Sequence, residues 1–273
     1  MLINKDKYFF EFLNRTIPLL TEAGVNKLKD STVAIAGCGG SGGACAITLA
    51  RMGVGNFKLA DPGIFDEPDI NRQWAANIRS LGKKKTDCYM KMLRDINPGI
   101  GVKKYSDGVT DENVVDFLDG ADLVVDCLDV VVSSELRARM YRQAKDNGIY
   151  SMTAPILSFG SIFCCAAPDG MGMERVVSTI DEGSNEAKFP AIFRMIFMPQ
   201  HLDIIESKIQ THRIPSVAIS PMVAAAMLST EAVLALAGDK IPGGRKPLCL
   251  PKVIAIDFFR LTHYVVDINH VLG

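Results

Sequence analysis

A short apolar run, Thr32–Ala36, breaks into Gly37-Cys38-Gly39-Gly40-Ser41-Gly42-Gly43 and continues into a helix-compatible segment over residues 44–52. Strand, glycine turn and helix in that order predict a βαβ unit, and no other stretch restricts the fold as much. A second strand, Asn56–Ala60, ends on Asp61, 19 residues past Gly42, the spacing of a carboxylate that grips a ribose. Backbone N–H groups at the start of a helix are unpaired and carry partial positive charge, so a phosphate settles against them where no side chain intervenes. Gly37, Gly39, Gly40 and Gly42 remove those side chains, and the stretch reads as a nucleotide site. Taken alone, such a turn also serves for close helix packing, so the rest of the chain has to decide.

With 273 residues, 48% of them apolar, and a net charge of −1, the composition is that of a soluble globular protein and implies no nucleic-acid partner. The first ten residues lack the basic-then-apolar layout of a secretion signal, so the expected location is the cytoplasm. The most apolar long segment, 214–237, is broken by Pro215, Ser216, Ser220, Pro221, Ser229, Thr230 and Glu231. It predicts a buried helix from about Pro221 rather than a membrane span. Its small residues, among them Ala224, Ala225 and Ala232, allow close approach of another helix or a second subunit. Seven scattered cysteines, mostly inside apolar runs, fit reduced buried thiols. There is no C-x-x-C pair and the four histidines are not spaced as paired ligands, so no structural zinc is expected.

Three parts are expected in one compact unit: an N-terminal helical arm (1–30), a nucleotide-binding α/β domain (31–167), and an irregular partner-recognition lobe with a packing helix and C-terminal strands (168–273). In the arm, residues 9–13 predict a short helix, 14–20 a linker, and Thr21 the cap of a helix running to about Leu28. The acidic loop Asp66-Glu67-Pro68-Asp69-Ile70 runs into Asn71-Arg72-Gln73 and needs a cation beside it: Arg72, Arg79 or a metal ion. Leu81-Gly82-Lys83-Lys84-Lys85 opens a helix to about Ile96 with Cys88, Met92 and Leu93 on its buried side. Three adjacent lysines point in different directions on a helix, so at most one or two face the site. Further helices are expected over 110–118 and 134–147, and strands at 101–105, 121–129, 149–153, 160–166, 252–258 and 261–266. Residues 168–210 show no period and read as an irregular insertion.

The pattern predicts a Rossmann-like, doubly wound α/β sheet, mostly parallel, with helices on both faces and antiparallel strands at the C-terminal end. Asp126 and Asp129 close a buried strand at the end where open parallel sheets bind ligands. They serve equally as helix cap and turn residue, but beside a triphosphate Asp129 suits magnesium, which takes one or two carboxylates plus phosphate oxygens.

In order, Gly37-Cys38-Gly39-Gly40-Ser41-Gly42, Gly53-Val54-Gly55, Asp61, Asn71-Arg72-Gln73, Gly82-Lys83-Lys84-Lys85 and Asp126-Cys127-Leu128-Asp129 resemble the signature of the E1-like activating enzymes. That group, of the ThiF/MoeB/HesA type, includes the molybdopterin-synthase and thiamine-pathway adenylyltransferases and the ubiquitin-activating enzymes. The resemblance implies a zinc-free compact homodimer that uses ATP and magnesium. It implies adenylation of the C-terminal carboxylate of a small ubiquitin-like or sulfur-carrier protein, or of a precursor peptide, with release of pyrophosphate. By position it implies Gly40 as backbone neighbour of the phosphates, Asp61 as ribose ligand, and Asn71, Arg72, Gln73 and Lys85 as further nucleotide contacts. Arg72 and Lys85 would offset phosphate charge, Asp129 would hold magnesium, and Arg15 would reach across the dimer to the other subunit's ATP. A carboxylate nucleophile is already ionised at neutral pH and needs no general base, so alignment and charge neutralisation suffice.

Two positions depart from the pattern. Asp69 stands where an asparagine is usual, a second charge that costs nucleotide affinity unless a metal or Lys85 offsets it, and Val130 replaces a neutral polar partner of Asp129. The lobe also lacks cysteines, which points to adenylation without a covalent enzyme thioester. Two other classes compete: an NAD-dependent oxidoreductase, for which Gly37, Gly39, Gly42 and Asp61 alone would serve, and a non-catalytic nucleotide-binding scaffold. The first gains nothing from Arg72, Lys85 and Asp129. A variant acting on a modified tRNA nucleoside draws no support from the near-neutral charge.

Overall fold

The computed structural model describes residues 4–129, 132–174, 191–208 and 214–270. In chain order the elements are α1 (Lys5–Phe12), α2 (Ile17–Asp30), β1 (Thr32–Ala36), α3 (Gly40–Met52), β2 (Asn56–Ala60), α4 (Lys85–Ile96), β3 (Gly101–Tyr105), α5 (Val114–Leu118) and β4 (Leu123–Asp126). They continue with α6 (Ser134–Asp146), β5 (Tyr150–Thr153), β6 (Ile156–Leu157), β7 (Gly160–Ala166), α7 (Ala191–Ile196), α8 (Pro199–Glu206), α9 (Ile219–Ala237), β8 (Lys252–Asp257) and β9 (Thr262–Asp267).

The strands form one nine-stranded sheet in the order β3-β2-β1-β4-β5-β7-β8-β9, with β6 paired to β7. β1 lies parallel between β2 and β4, so that Ala36 is level with both Ala60 and Asp126. The chain winds outward from β1 to β3, then crosses back to place β4 on the other side of β1. The crevice opened by that reversal, at the C-terminal ends of β1 and β4, is where such sheets take ligands. Past β5 the direction alternates, and β7, β8 and β9 complete the sheet antiparallel.

Alternation along β1 divides the interior in two. Val33 and Ile35 enter one apolar core, Ala34 and Ala36 the other, and in β4 Leu123 and Val125 part from Val124 in the same way. The first core is roofed by residues of α2, α3, α4 and α9, and the second by α5, α6 and the 196–205 stretch of α7 and α8. Each fully buried Leu or Phe in these cores contributes about 1.5–3 kcal/mol. A third, smaller cluster of Phe9, Leu13 and Val25 holds α1 on α2, and the Tyr8 hydroxyl donates to Ile96 O to fasten the arm to the end of α4.

α9 is the buried helix expected from Pro221 onward. By length and composition alone, Ile219–Lys240 is the one helix among the described residues that could cross a membrane, yet it lies mostly buried in the core. Its alanines meet the small residues of α3, and its one buried acid, Glu231, accepts from Arg245 and from Leu248 N–H (2.8 Å).

Several expected boundaries shift for local reasons. The 14–20 linker is helical from Ile17, and the helix breaks at Thr21 (φ 64°), whose hydroxyl oxygen accepts Gly24 N–H at 3.1 Å and caps the second segment as expected. The 110–118 helix begins only at Val114, because the Asn113 side chain bonds Thr110 N–H and Gly108 O and ties 108–113 into a turn. The 121–129 strand is confined to Leu123–Asp126. α4 buries Thr86, Tyr89 and Leu93, while Cys88 and Met92 are only half-buried. β6 was not foreseen, and the 168–210 stretch contains α7 and α8; its residues 175–190 and 209–210, with Val130, lie outside the described residues.

Candidate nucleotide site

The crevice is built on the glycine turn, but its glycines divide the work differently from the sequence expectation. Gly37 sits at φ 90°, and a Cβ there would lie 2.3 Å from Cys127 O, while a Cβ on Gly42 would lie 1.9 Å from Gly37 O. Both are glycine because backbone crosses backbone between β1, α3 and β4, a role in packing. Gly40 is covered by Pro221 of α9, whose Cγ would be 2.9 Å from an added Cβ. Gly39 is the open one, with nothing nearer than the Gln73 side chain at 3.9 Å. α3 starts at Gly40, and no side chain caps it; the first helical bond is Gly43 N–H to Gly39 O. The N–H groups ahead of Gly43 are those left for an anion.

Asp61 follows β2 and is buried, with Oδ2 accepting Cys38 N–H and Oδ1 accepting Gly63 N–H, both at 2.7 Å. It therefore shapes the glycine turn from below, while each oxygen keeps a further lone pair for a ligand.

The 64–73 segment brings the cations. Ile64 bridges to Lys84, which delivers Lys85, the first residue of α4, to the crevice. Of the three adjacent lysines only Lys85 turns inward; Lys83 and Lys84 are exposed. The Lys85 ammonium stands 3.1 Å from Asp69 Oδ2 and 5.6 Å from the Phe65 ring centre. Asp69 thus has the cationic partner that its unusual charge requires. Arg72 NH2 is 3.7 Å from Asp69 Oδ1, and Arg72 NH1 donates to Pro68 O and Asn71 Oδ1. Asn71 Nδ2 donates to Ser216 O at 3.4 Å, ahead of α9. The buried Gln73 amide donates to Asp69 Oδ1.

On the other wall, Asp126 is buried at the end of β4, hydrogen-bonded to the Tyr141 hydroxyl and Leu128 N–H (2.9 Å) and ion-paired with Arg137, whose Nε lies at 3.1 Å without hydrogen-bond geometry. Burial, with Asp126 alongside, pushes the Tyr141 hydroxyl well up, so it stays a donor. Asp126 is accordingly a strut, and Asp129, three residues on, is exposed. Arg15 stands apart, exposed in the turn between α1 and α2, with no hydrogen bond or ion pair to the crevice among the described residues.

A family model described as the ThiF family matches residues 13–268. The chain belongs to the ThiF family. Among curated relatives, the tRNA threonylcarbamoyladenosine dehydratase of Bacillus subtilis is 38% identical over 109 residues, 40% of this chain and 43% of that protein. Protein HesA of Nostoc is 36% identical over 111 residues, 41% of this chain and 44% of HesA. The adenylyltransferase and sulfurtransferase UBA4 of Scheffersomyces stipitis is 32% identical over 38% of this chain and 23% of its own. The matched stretch thus spans less than half of each of these relatives. Solved structures share the fold over nearly all of this ThiF-family chain: PaaA (TM-score 0.69, 19% identity, covering 98% of this chain and 75% of PaaA) and MccB with N-formylated MccA (TM-score 0.69, 20% identity, 97% and 72%).

Four supports of this ThiF-family site escaped the sequence. Arg137 and Tyr141 are four apart on α6, hence on one face, the only signal that both meet Asp126. Tyr89 backs the turn, its hydroxyl 3.4 Å from both Gly39 O and Ala75 N, which is why Gly43 has no room for a Cβ. Pro221 comes from the far end of the chain and nothing local announces it.

Proposed function

We propose that this chain is an ATP-dependent adenylyltransferase that activates the C-terminal carboxylate of a small ubiquitin-like or sulfur-carrier protein, or of a precursor peptide, as an acyl-adenylate. The observation that carries the reading is the convergence of Lys85 and Arg72 on Asp69, whose other partner, Gln73, borders Gly39 at the uncapped start of α3. Two cations and free backbone N–H groups suit a triphosphate better than a dinucleotide. The partner carboxylate attacks the α-phosphorus and pyrophosphate leaves. Gly39 leaves room for the phosphates, Asp61 offers lone pairs to the ribose, and Arg72 and Lys85 offset charge as it shifts to the leaving group.

A magnesium ion is part of the proposal. Asp129, exposed just past the end of β4, would be its one carboxylate from the protein, with phosphate oxygens and water as the other ligands. Asp129 would hold it, and the ion would supply charge neutralisation.

A homodimer is part of the proposal, with Arg15 completing the partner's site. Exposed Ile64, Trp74 and Ile78 in the segments flanking Arg72, and Leu19 four residues from Arg15, support it, since exposed large apolar side chains favour burial against a partner. The peptide alternative draws on the whole-chain likeness to MccB with MccA, and the carrier-protein alternative on UBA4. A second reading, activation of a carbonyl oxygen on a modified tRNA nucleoside, draws on the Bacillus subtilis relative.

Magnesium-dependent exchange of labelled pyrophosphate into ATP tests the proposal, with candidate carrier proteins, peptides and tRNA added separately and Arg72→Ala as control. Exchange that needs a protein or peptide and vanishes in Arg72→Ala supports it. Exchange only with tRNA moves the assignment to the second reading, and NAD binding in place of ATP overturns both.

A further inference from the structure

Asp69 is a buried carboxylate ringed by donors. Its Oδ2 faces Lys85 Nζ at 3.1 Å and Asp66 N–H at 3.3 Å; its Oδ1 accepts from the Gln73 amide and lies 3.7 Å from Arg72 NH2. Two consequences follow from its being an acid and not an amide. The positive charge that Arg72 and Lys85 could offer a phosphate is already partly offset, leaving one net charge from the three groups.

The second consequence concerns direction. A carboxylate has no proton to give, so Gln73 must turn its NH2 group toward Asp69 and its carbonyl the other way. Gln73 Oε1 is then buried without a hydrogen-bond partner, and the edge of the amide borders Gly39, with Nε2 3.9 Å and Oε1 4.0 Å from the position a Cβ there would take. An unpaired buried acceptor beside the open glycine of the turn signals a missing donor. Ionised phosphate oxygens cannot supply one and are repelled by it, whereas cation-bound water can.

We propose that Asp69 makes the site select a nucleotide whose phosphate charge is already offset by a divalent cation, against the bare nucleotide, acting through Lys85 and through the orientation of Gln73. The inference rests on the nucleotide reading above. Asp69 is a positioning residue: its effect reaches the ligand through two side chains that it holds. An asparagine at 69 would leave Lys85 undiminished and free the Gln73 amide to turn its NH2 group to the phosphates.

The test is calorimetric titration of the full chain with ATP in EDTA and with ATP in excess magnesium, reading the ratio of the two dissociation constants. Wild type should bind bare ATP at least about tenfold more weakly than magnesium-ATP. Asp69→Asn should tighten bare ATP by roughly tenfold with little change for magnesium-ATP, so that the ratio collapses. Gln73→Met, which removes Oε1, should move the ratio the same way and decides the matter if Asp69→Asn fails to fold in a thermal melt. An unchanged ratio in folded Asp69→Asn, or equal weakening of both forms, overturns the proposal. Absence of ATP binding by wild type in both buffers overturns the nucleotide reading itself, which is a different result.

Discussion

Arg137 Nε lies 3.1 Å from Asp126 Oδ2, and the same guanidinium donates to the carbonyls of Leu128 (2.5 Å) and Asp129 (3.0 Å). One side chain from α6 therefore holds the whole turn that presents Asp129. Arg137→Met should strand a buried carboxylate and destabilise the fold by about 3–5 kcal/mol in chemical denaturation. Arg137→Lys should recover only part of this, since an ammonium cannot span three acceptors in a fixed fork. A loss below about 1 kcal/mol would mean that the turn is ordered by other contacts.

Substituting the glycines should separate packing from binding. Gly42→Ala drives a methyl to 1.9 Å from Gly37 O, so a loss of about 3 kcal/mol or more is expected, with soluble yield falling. Gly39→Ala meets nothing within 3.8 Å, so its stability should stay within about 0.5 kcal/mol of wild type. Its ATP affinity should nevertheless fall by roughly tenfold, because the methyl occupies the space left for phosphate. Titration and melting of the same samples give both answers.

The lysines make a sharper pair. Lys85→Met should lower pyrophosphate exchange by about 10²–10³-fold, the usual effect of removing one preorganised donor. Lys83→Ala and Lys84→Ala, both exposed, should leave the rate where it was. Equal losses in all three would mean that general positive charge matters and the inward placement of Lys85 does not.

The thiols are arranged against covalent catalysis. Burial pushes Cys45 and Cys164 up to about 12 and holds Cys38 and Cys127 well above the ordinary thiol range. A raised value means a protonated, unreactive sulfur at neutral pH. Cys249 goes the other way, lowered by its contact with Cys165 at 3.4 Å. Iodoacetamide at neutral pH should therefore mark Cys249 first, read by peptide mass mapping, and Cys249→Ser should keep full exchange activity. Rapid labelling of Cys38 or Cys127 in the folded protein would contradict this picture.

The glycine unit was legible because its information is local: residues 32–61 carry strand, turn, helix and strand in their own periodicities, and β1, β2 and Asp61 fall where expected. Asp69 was legible as a problem with two candidate solutions, a metal or Lys85, but the sequence did not choose between them. Its partner Lys85 arrives through the Ile64–Lys84 bridge, a pairing between loops that no period encodes. Thr110 failed as a helix start because the Asn113 side chain competes for the same backbone groups. α7 and α8 were missed because Pro199 and short lengths hide a helical period, and their apolar residues face a sheet supplied by distant sequence.

Pro221 closing over Gly40 ties together residues 181 positions apart. On a ribosome the glycine turn is made early, yet it waits uncovered until α9 has emerged from the exit tunnel. Until then the face of α3 that meets α9 has no partner, so the nascent chain passes through a long interval with that apolar surface uncovered.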